Sequence, residues 1–199
     1  MKLLRTFVLL IAIIIIGSAF INRIEDLSQK VEKEEPLKDI DLSKMTKVND
    51  EPVAMLPMIA LLCKMPSEEE IKSWEDTHPH DSHYINVYVN DKGKMQMTEK
   101  LNPVFPEGTI IVKEKFPLDF MKADSLQNKK VDLYTVMIKR QKGYNPICGD
   151  WEFAAVSGDL QKVEKGKLAN CMNCHVNYTE TDFVFRKNYL SKEMIDRMK

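Results

Sequence analysis

The sequence predicts an α+β fold, a mainly antiparallel β-sheet with helices packed on it. Segments with a period of two recur near residues 84–90, 108–116, 131–140 and 150–157. Turn signals join them, so sequence neighbours pair antiparallel. Helix-capping signals lie before and after these segments rather than alternating with them, which separates an α+β domain from an α/β one.

The elements follow in order. Lys2 and Arg5 precede an unbroken apolar run at 7–16, which continues weakly to Ile21, with small residues at Gly17-Ser18-Ala19. Residues 1–21 therefore read as a secretory signal peptide, or as an uncleaved signal anchor that tethers the chain to a membrane through residues 7–21. Residues 22–50 are rich in both charges and hold no aromatic residue. They read as a solvated linker, with a short amphipathic helix as the alternative. The folded domain is assigned to 51–199. Residues 55–62 are apolar and predict a buried helix. Ser67 and Glu70 form a capping box that opens a short helix to about Asp76. In the first strand Ile85, Val87 and Val89 alternate with Tyr84, Asn86, Tyr88 and Asn90, and Asp91-Lys92-Gly93 predicts a closing turn. The second strand is 108–116. The third, 131–140, is apolar on both faces and so central. Gly143-Tyr144-Asn145-Pro146 predicts a turn before the fourth strand. A helical stretch near residue 171 and a last helix capped by Ser191 complete the domain.

A net charge of -1 and a pI near 6.4 give no reason to expect a nucleic-acid partner.

Chemistry is concentrated in Cys171-Met172-Asn173-Cys174-His175. This is the C-x-x-C-H pattern of covalent haem c attachment, in which two thiols add across the haem vinyl groups and the histidine becomes the axial ligand of the iron. A zinc site would need a second cysteine pair, and Cys63 and Cys148 do not form one. The motif and the export signal support each other, because haem c is attached outside the bacterial inner membrane. The expectation is one covalent haem c per chain, in the periplasm, soluble after cleavage or tethered by the N-terminal segment. The motif stands late: only 24 residues follow His175. That argues against a small electron carrier with a distal Met194 or Met198. The period-two segments argue against a four-helix cytochrome.

A set of motifs then gives a resemblance. Met137-Ile138-Lys139-Arg140, Gly143-Tyr144-Asn145-Pro146, Gly149-Asp150-Trp151-Glu152-Phe153, the haem motif and Asp182-Phe183-Val184-Phe185 together resemble the cytochrome P-460 family. So do Tyr84-Ile85-Asn86-Val87-Tyr88-Val89-Asn90 and Pro106-Glu107-Gly108-Thr109 leading into Lys113-Glu114. The resemblance covers roughly residues 83–186. It implies a mainly antiparallel sheet, haem c on the C-terminal segment and often a homodimer. Members include hydroxylamine oxidases and the related c-prime-beta cytochromes, which bind nitric oxide or carbon monoxide. The enzymes carry a lysine bonded to the porphyrin edge. Lys113 matches that lysine, Lys115 is second choice, and the opposing reading is of solvated strand residues. The resemblance also implies an acid above the iron, for which Glu114, Glu180 and Asp182 are candidates.

His78, His80 and His83 offer a metal site, a distal haem ligand or simply a polar loop. Cys63 and Cys148 are either a disulfide or two buried thiols. Trp151, Phe153, Phe183 and Phe185 read as core and haem-packing residues. The functional expectation is an exported haem c protein that binds or redox-processes nitric oxide or hydroxylamine at an open distal site, with a redox partner protein. The alternative is a six-coordinate electron-transfer cytochrome without a substrate.

Overall fold

The structure, a computed structural model, describes residues 40–56, 80–119 and 129–198, with single positions between 67 and 78 and Leu126. Its frame is a seven-stranded antiparallel sheet: β1 (Thr46–Lys47), β2 (Val53–Met55), β3 (His83–Val89), β4 (Ile110–Pro117), β5 (Leu133–Lys139), β6 (Trp151–Ser157) and β7 (Val163–Gly166). From β3 onward each strand pairs with the next, and β1 and β2 both pair with β3. The doubly apolar third segment is β5, flanked on both sides as its pattern predicted.

Register decides which side chains share a face. Val87 faces Lys113, which faces Thr135; Val89 faces Ile111, which faces Met137, which faces Phe153. Period two then puts Ile85, Val87, Val89, Ile111, Lys113, Lys115, Met137, Trp151 and Phe153 on one side. The main core forms there, with Val184, Tyr189 and Leu190 closing over it. Each fully buried large apolar side chain contributes about 1.5–3 kcal/mol. The opposite face carries a smaller cluster of Val112, Val136 and Ala154, partly covered by Ile40, Leu42 and Met45.

Among the described residues, helices beside the sheet include α1 (Asp91–Thr98), α2 (Ala169–His175) and α3 (Lys192–Arg197). Ser191 caps α3 as expected, its hydroxyl accepting from the Met194 N–H. The capping box is also present: the Ser67 N–H donates to Glu70 Oε2 at 2.8 Å, and the Glu70 N–H donates to Ser67 Oγ at 3.2 Å.

The structure corrects three expectations and adds one strand. Asp91-Lys92-Gly93 opens α1 instead of forming a turn, because the Asn90 side chain caps the Gly93 N–H. The charged linker does not run to residue 50. β1 lies within it, Val48 and Asn49 are buried, and the Asn49 side chain bonds the backbone of Ile85 and Val87. Pairing with an already formed strand gives this polar segment what its own composition lacks. Met55 ends β2 and Leu56 is exposed and non-helical instead of starting a helix; residues 57–62 of that predicted helix lie outside the described residues. β7, a polar edge strand, was not predicted. Residues 1–21 also lie outside the described residues, and among the described ones no helix is long and apolar enough to cross a membrane.

Candidate functional site

The C-x-x-C-H motif folds as α2. The N–H groups of Cys171 and Met172 both donate to the Leu168 carbonyl, starting the helix without a side-chain cap. A helix brings residues three and four apart onto one side, so Cys171, Cys174 and His175 gather there. Cys171 is half-buried, Cys174 is exposed, and His175 is only 3% exposed. The His175 ring sits between Phe153, 5.1 Å away, and Phe185, 4.9 Å away and edge-on. Its Nδ1 lies 2.6 Å from the Phe183 carbonyl oxygen. A carbonyl only accepts, so Nδ1 carries the proton and Nε2 keeps its lone pair. Burial, and then Lys113, push the imidazole down to about 4, which holds it neutral. A neutral histidine with its far nitrogen anchored on a carbonyl is the arrangement a metal-ligating histidine needs.

The anchor is itself held in place. Asp182 and Phe183 both have left-handed backbones, with φ of 52° and 66°. Asp182 is pinned from three directions. Lys139 Nζ donates to both its oxygens at 2.7 Å, the Phe105 N–H donates to Oδ2 at 2.8 Å, and the Trp151 indole N–H donates to its carbonyl at 2.8 Å. Gly149, at φ 61°, backs onto the Phe183 ring so closely that a Cβ there would lie 2.4 Å from a ring carbon. One step further, the buried Arg186 guanidinium binds the carbonyls of Gln96, Met97, Lys100 and Leu101, fastening this segment to the end of α1.

Two cavities meet at the motif. One, of about 20 Å³, is lined by His80, Ile111, Lys113, Thr135, Met137, Phe153, Cys171 and His175 among others. The second, of about 160 Å³, is lined by Met55, His78, His80, Asp81, Lys113, Cys174, Phe185, Asn188 and Tyr189. His80 and Lys113 belong to both, and one motif cysteine opens onto each. Two thiols, a pre-oriented imidazole and largely apolar walls fit a covalently held haem.

The predicted residues separate sharply. Lys113 is not a solvated strand residue: it is 5% exposed, and its amine lies 4.8 Å from the Tyr189 ring centre and 5.7 Å from that of Phe185. Lys115 on the same face is fully buried, and burial followed by the charge of Lys113 pushes it down to about 7. Both lysines face the side that carries His175, because that is the face the C-terminal segment covers. Glu114 points the other way and accepts from Asn86 and Tyr88. Asp182 is occupied by Lys139, and Glu180 is exposed. Of the three histidines, His83 is tied to Asp132 and to the Asp81 carbonyl, while His80 enters the cavity. Burial, with Lys115 and Lys113, holds His80 well below the usual imidazole range. Among the described residues no three His, Cys, Asp or Glu side chains gather as a metal site. Cys148 is an unbridged core thiol that burial pushes up to about 11; Cys63 lies outside the described residues. Sequence reading missed Asp81 and Tyr189 as cavity residues, since neither has a motif to mark it.

The family model described as cytochrome P460 matches residues 66–186. Among curated proteins, none matches the chain.

Proposed function

Since the chain belongs to the cytochrome P460 family and is thereby a c-type haem protein, we propose that it is exported and carries one haem on Cys171 and Cys174. His175 would hold the haem iron, and the site would take a small nitrogen ligand such as nitric oxide or hydroxylamine. The observation that supports this most is the His175 imidazole, neutral, anchored through Nδ1 and turned into a cavity that also holds Cys171. When bound, the haem supplies an iron that coordinates such a ligand or exchanges an electron with it. The chain's own residues do the rest. Phe153 and Phe185 fix the plane of the imidazole and exclude water from it. Lys113 places a cation in both cavities, where it favours electron density building up on a ligand. The apolar run at 7–16 supports export, with the mature protein free or tethered in the periplasm. An electron-donating or electron-accepting partner and a homodimer belong to the same reading.

A hydroxylamine-oxidising enzyme is the second reading. It is favoured by the burial of Lys113 beside the motif, which removes the objection that the lysine is a surface residue. None of the predicted acids Glu114, Glu180 and Asp182 lines either cavity, and the acid that does is Asp81, in the second one.

The test uses purified mature protein. Haem stain should survive on a denaturing gel and vanish in Cys171→Ala/Cys174→Ala. The reduced protein should be high-spin and shift on adding carbon monoxide or nitric oxide. A reduced low-spin spectrum that neither gas alters would refute the open site. Peptide mass mapping should leave haem only on the Cys171–Cys174 peptide. A haem-bearing peptide that also contains Lys113 would make the oxidase the better reading.

A further inference from the structure

We propose that His80 is the side chain that meets a small ligand on the haem iron, hydrogen-bonding it and setting which ligands the protein holds. This rests on the haem reading above.

His80 stands in a short turn that the fold holds firmly. The Asp81 N–H donates to the His78 carbonyl at 3.0 Å, Ser82 takes a left-handed φ of 57°, and the Leu118 N–H donates to the Ser82 carbonyl at 2.8 Å. The next residue, His83, opens β3 and is fixed by Asp132. The turn therefore presents His80 inward on a rigid base. His80 and His175 line one cavity, and of the three histidines only His80 reaches it. His80 Nδ1 is buried and has no hydrogen-bond partner among the described residues. An orphaned buried nitrogen costs about 1–3 kcal/mol unless a water or a ligand satisfies it.

Of the other lining groups, Thr135 adds one hydroxyl. Ile111, Met137 and Phe153 are apolar, and the Lys113 amine lies against the Tyr189 and Phe185 rings. Imidazole N–H is a donor. It suits a diatomic or triatomic nitrogen oxide, which keeps an acceptor atom when bound through nitrogen. His80 also lines the second cavity together with Asp81, so the same residue borders both cavities.

The test compares reduced holoprotein with His80→Ala and His80→Gln, probed with carbon monoxide and nitric oxide. Wild type should show the lower C–O stretching frequency. His80→Ala should raise it and release nitric oxide roughly 3- to 10-fold faster, the loss of one hydrogen bond. His80→Gln, which keeps a donor, should lie between. Identical frequencies and release rates in all three proteins overturn the proposal. A wild-type low-spin spectrum that becomes high-spin in His80→Ala also overturns it, since His80 would then be on the iron itself. If His80→Ala fails to retain haem, His80→Gln against wild type decides on the same readouts. Wild type without covalent haem on a denaturing gel instead refutes the haem reading, and this proposal with it.

Discussion

Replacing Asp182 by Asn tests whether the loop that anchors His175 is held by charge. The substitution is nearly isosteric. Asn keeps an oxygen for the Phe105 N–H and tolerates the left-handed φ of 52°, so neither sterics nor backbone strain enters. What it removes is the partner of Lys139, and those two side chains are 12% and 11% exposed, with both carboxylate oxygens 2.7 Å from Nζ. Breaking a buried ion pair from one side costs about 3–5 kcal/mol, because the remaining charge stays desolvated. The Trp151 ring, 5.0 Å from the same ammonium, compensates in part, which sets the expectation at the low end, about 3 kcal/mol. For a chain of this size that is a fall of roughly 6–12 °C in Tm. The assay is thermal unfolding of the holoprotein at pH 7 by circular dichroism. The double variant Lys139→Met/Asp182→Asn removes the stranded charge and should recover more than half of the loss. An Asp182→Asn protein within about 1 °C of wild type, or a double variant at least as unstable as the single one, would refute the reasoning.

Three further expectations follow from neighbouring contacts. Lys115 is lowered to about 7 when folded, against 10.5 when unfolded, so between those values the unfolded chain binds more protons and stability rises with pH. Lys115→Met should thus be more stable than wild type near pH 7, by an advantage that shrinks towards pH 10; denaturant titrations at both pH values would show it, and parallel curves would count against it. Gly149→Ala forces a Cβ into the Phe183 ring at a positive φ and should cost about 2–3 kcal/mol, and a Tm unchanged from wild type would show that the ring moves freely. Arg186→Lys cannot reproduce the four carbonyl bonds at the end of α1, so hydrogen exchange should accelerate in residues 96–101, and unchanged protection there would contradict the contact.

The strands were legible because period two is a local property: Ile85, Val87 and Val89 alternate whatever surrounds them. The C-x-x-C-H motif was conspicuous for a similar reason, since its spacing is local, and the fold places it on one helix with His175 buried. What escaped depended on partners distant in sequence. Gly93 read as a turn glycine. In the fold it is helical, and it is glycine because a Cβ would lie 2.4 Å from a Thr109 methyl and 2.9 Å from a Val89 methyl. Alternation placed Lys113 and Lys115 on one strand face but gave no sign of whether that face met water. Only the covering by Phe185, Tyr189 and Leu190 turns two ordinary lysines into buried amines. His80 was one of three equivalent histidines in sequence, and the anchoring of His83 separates them.

The half-burial of Cys171 has a consequence for the order of assembly. Burial pushes its thiol up, away from the thiolate that reacts. The strands that form the floor of its cavity precede it along the chain, and the aromatic residues that cover the site, Phe183, Phe185 and Tyr189, follow it. If Cys171 carries haem as proposed, the covering segment would have to stand open for the cofactor to reach that sulfur, and the residues after His175 would close over it afterwards.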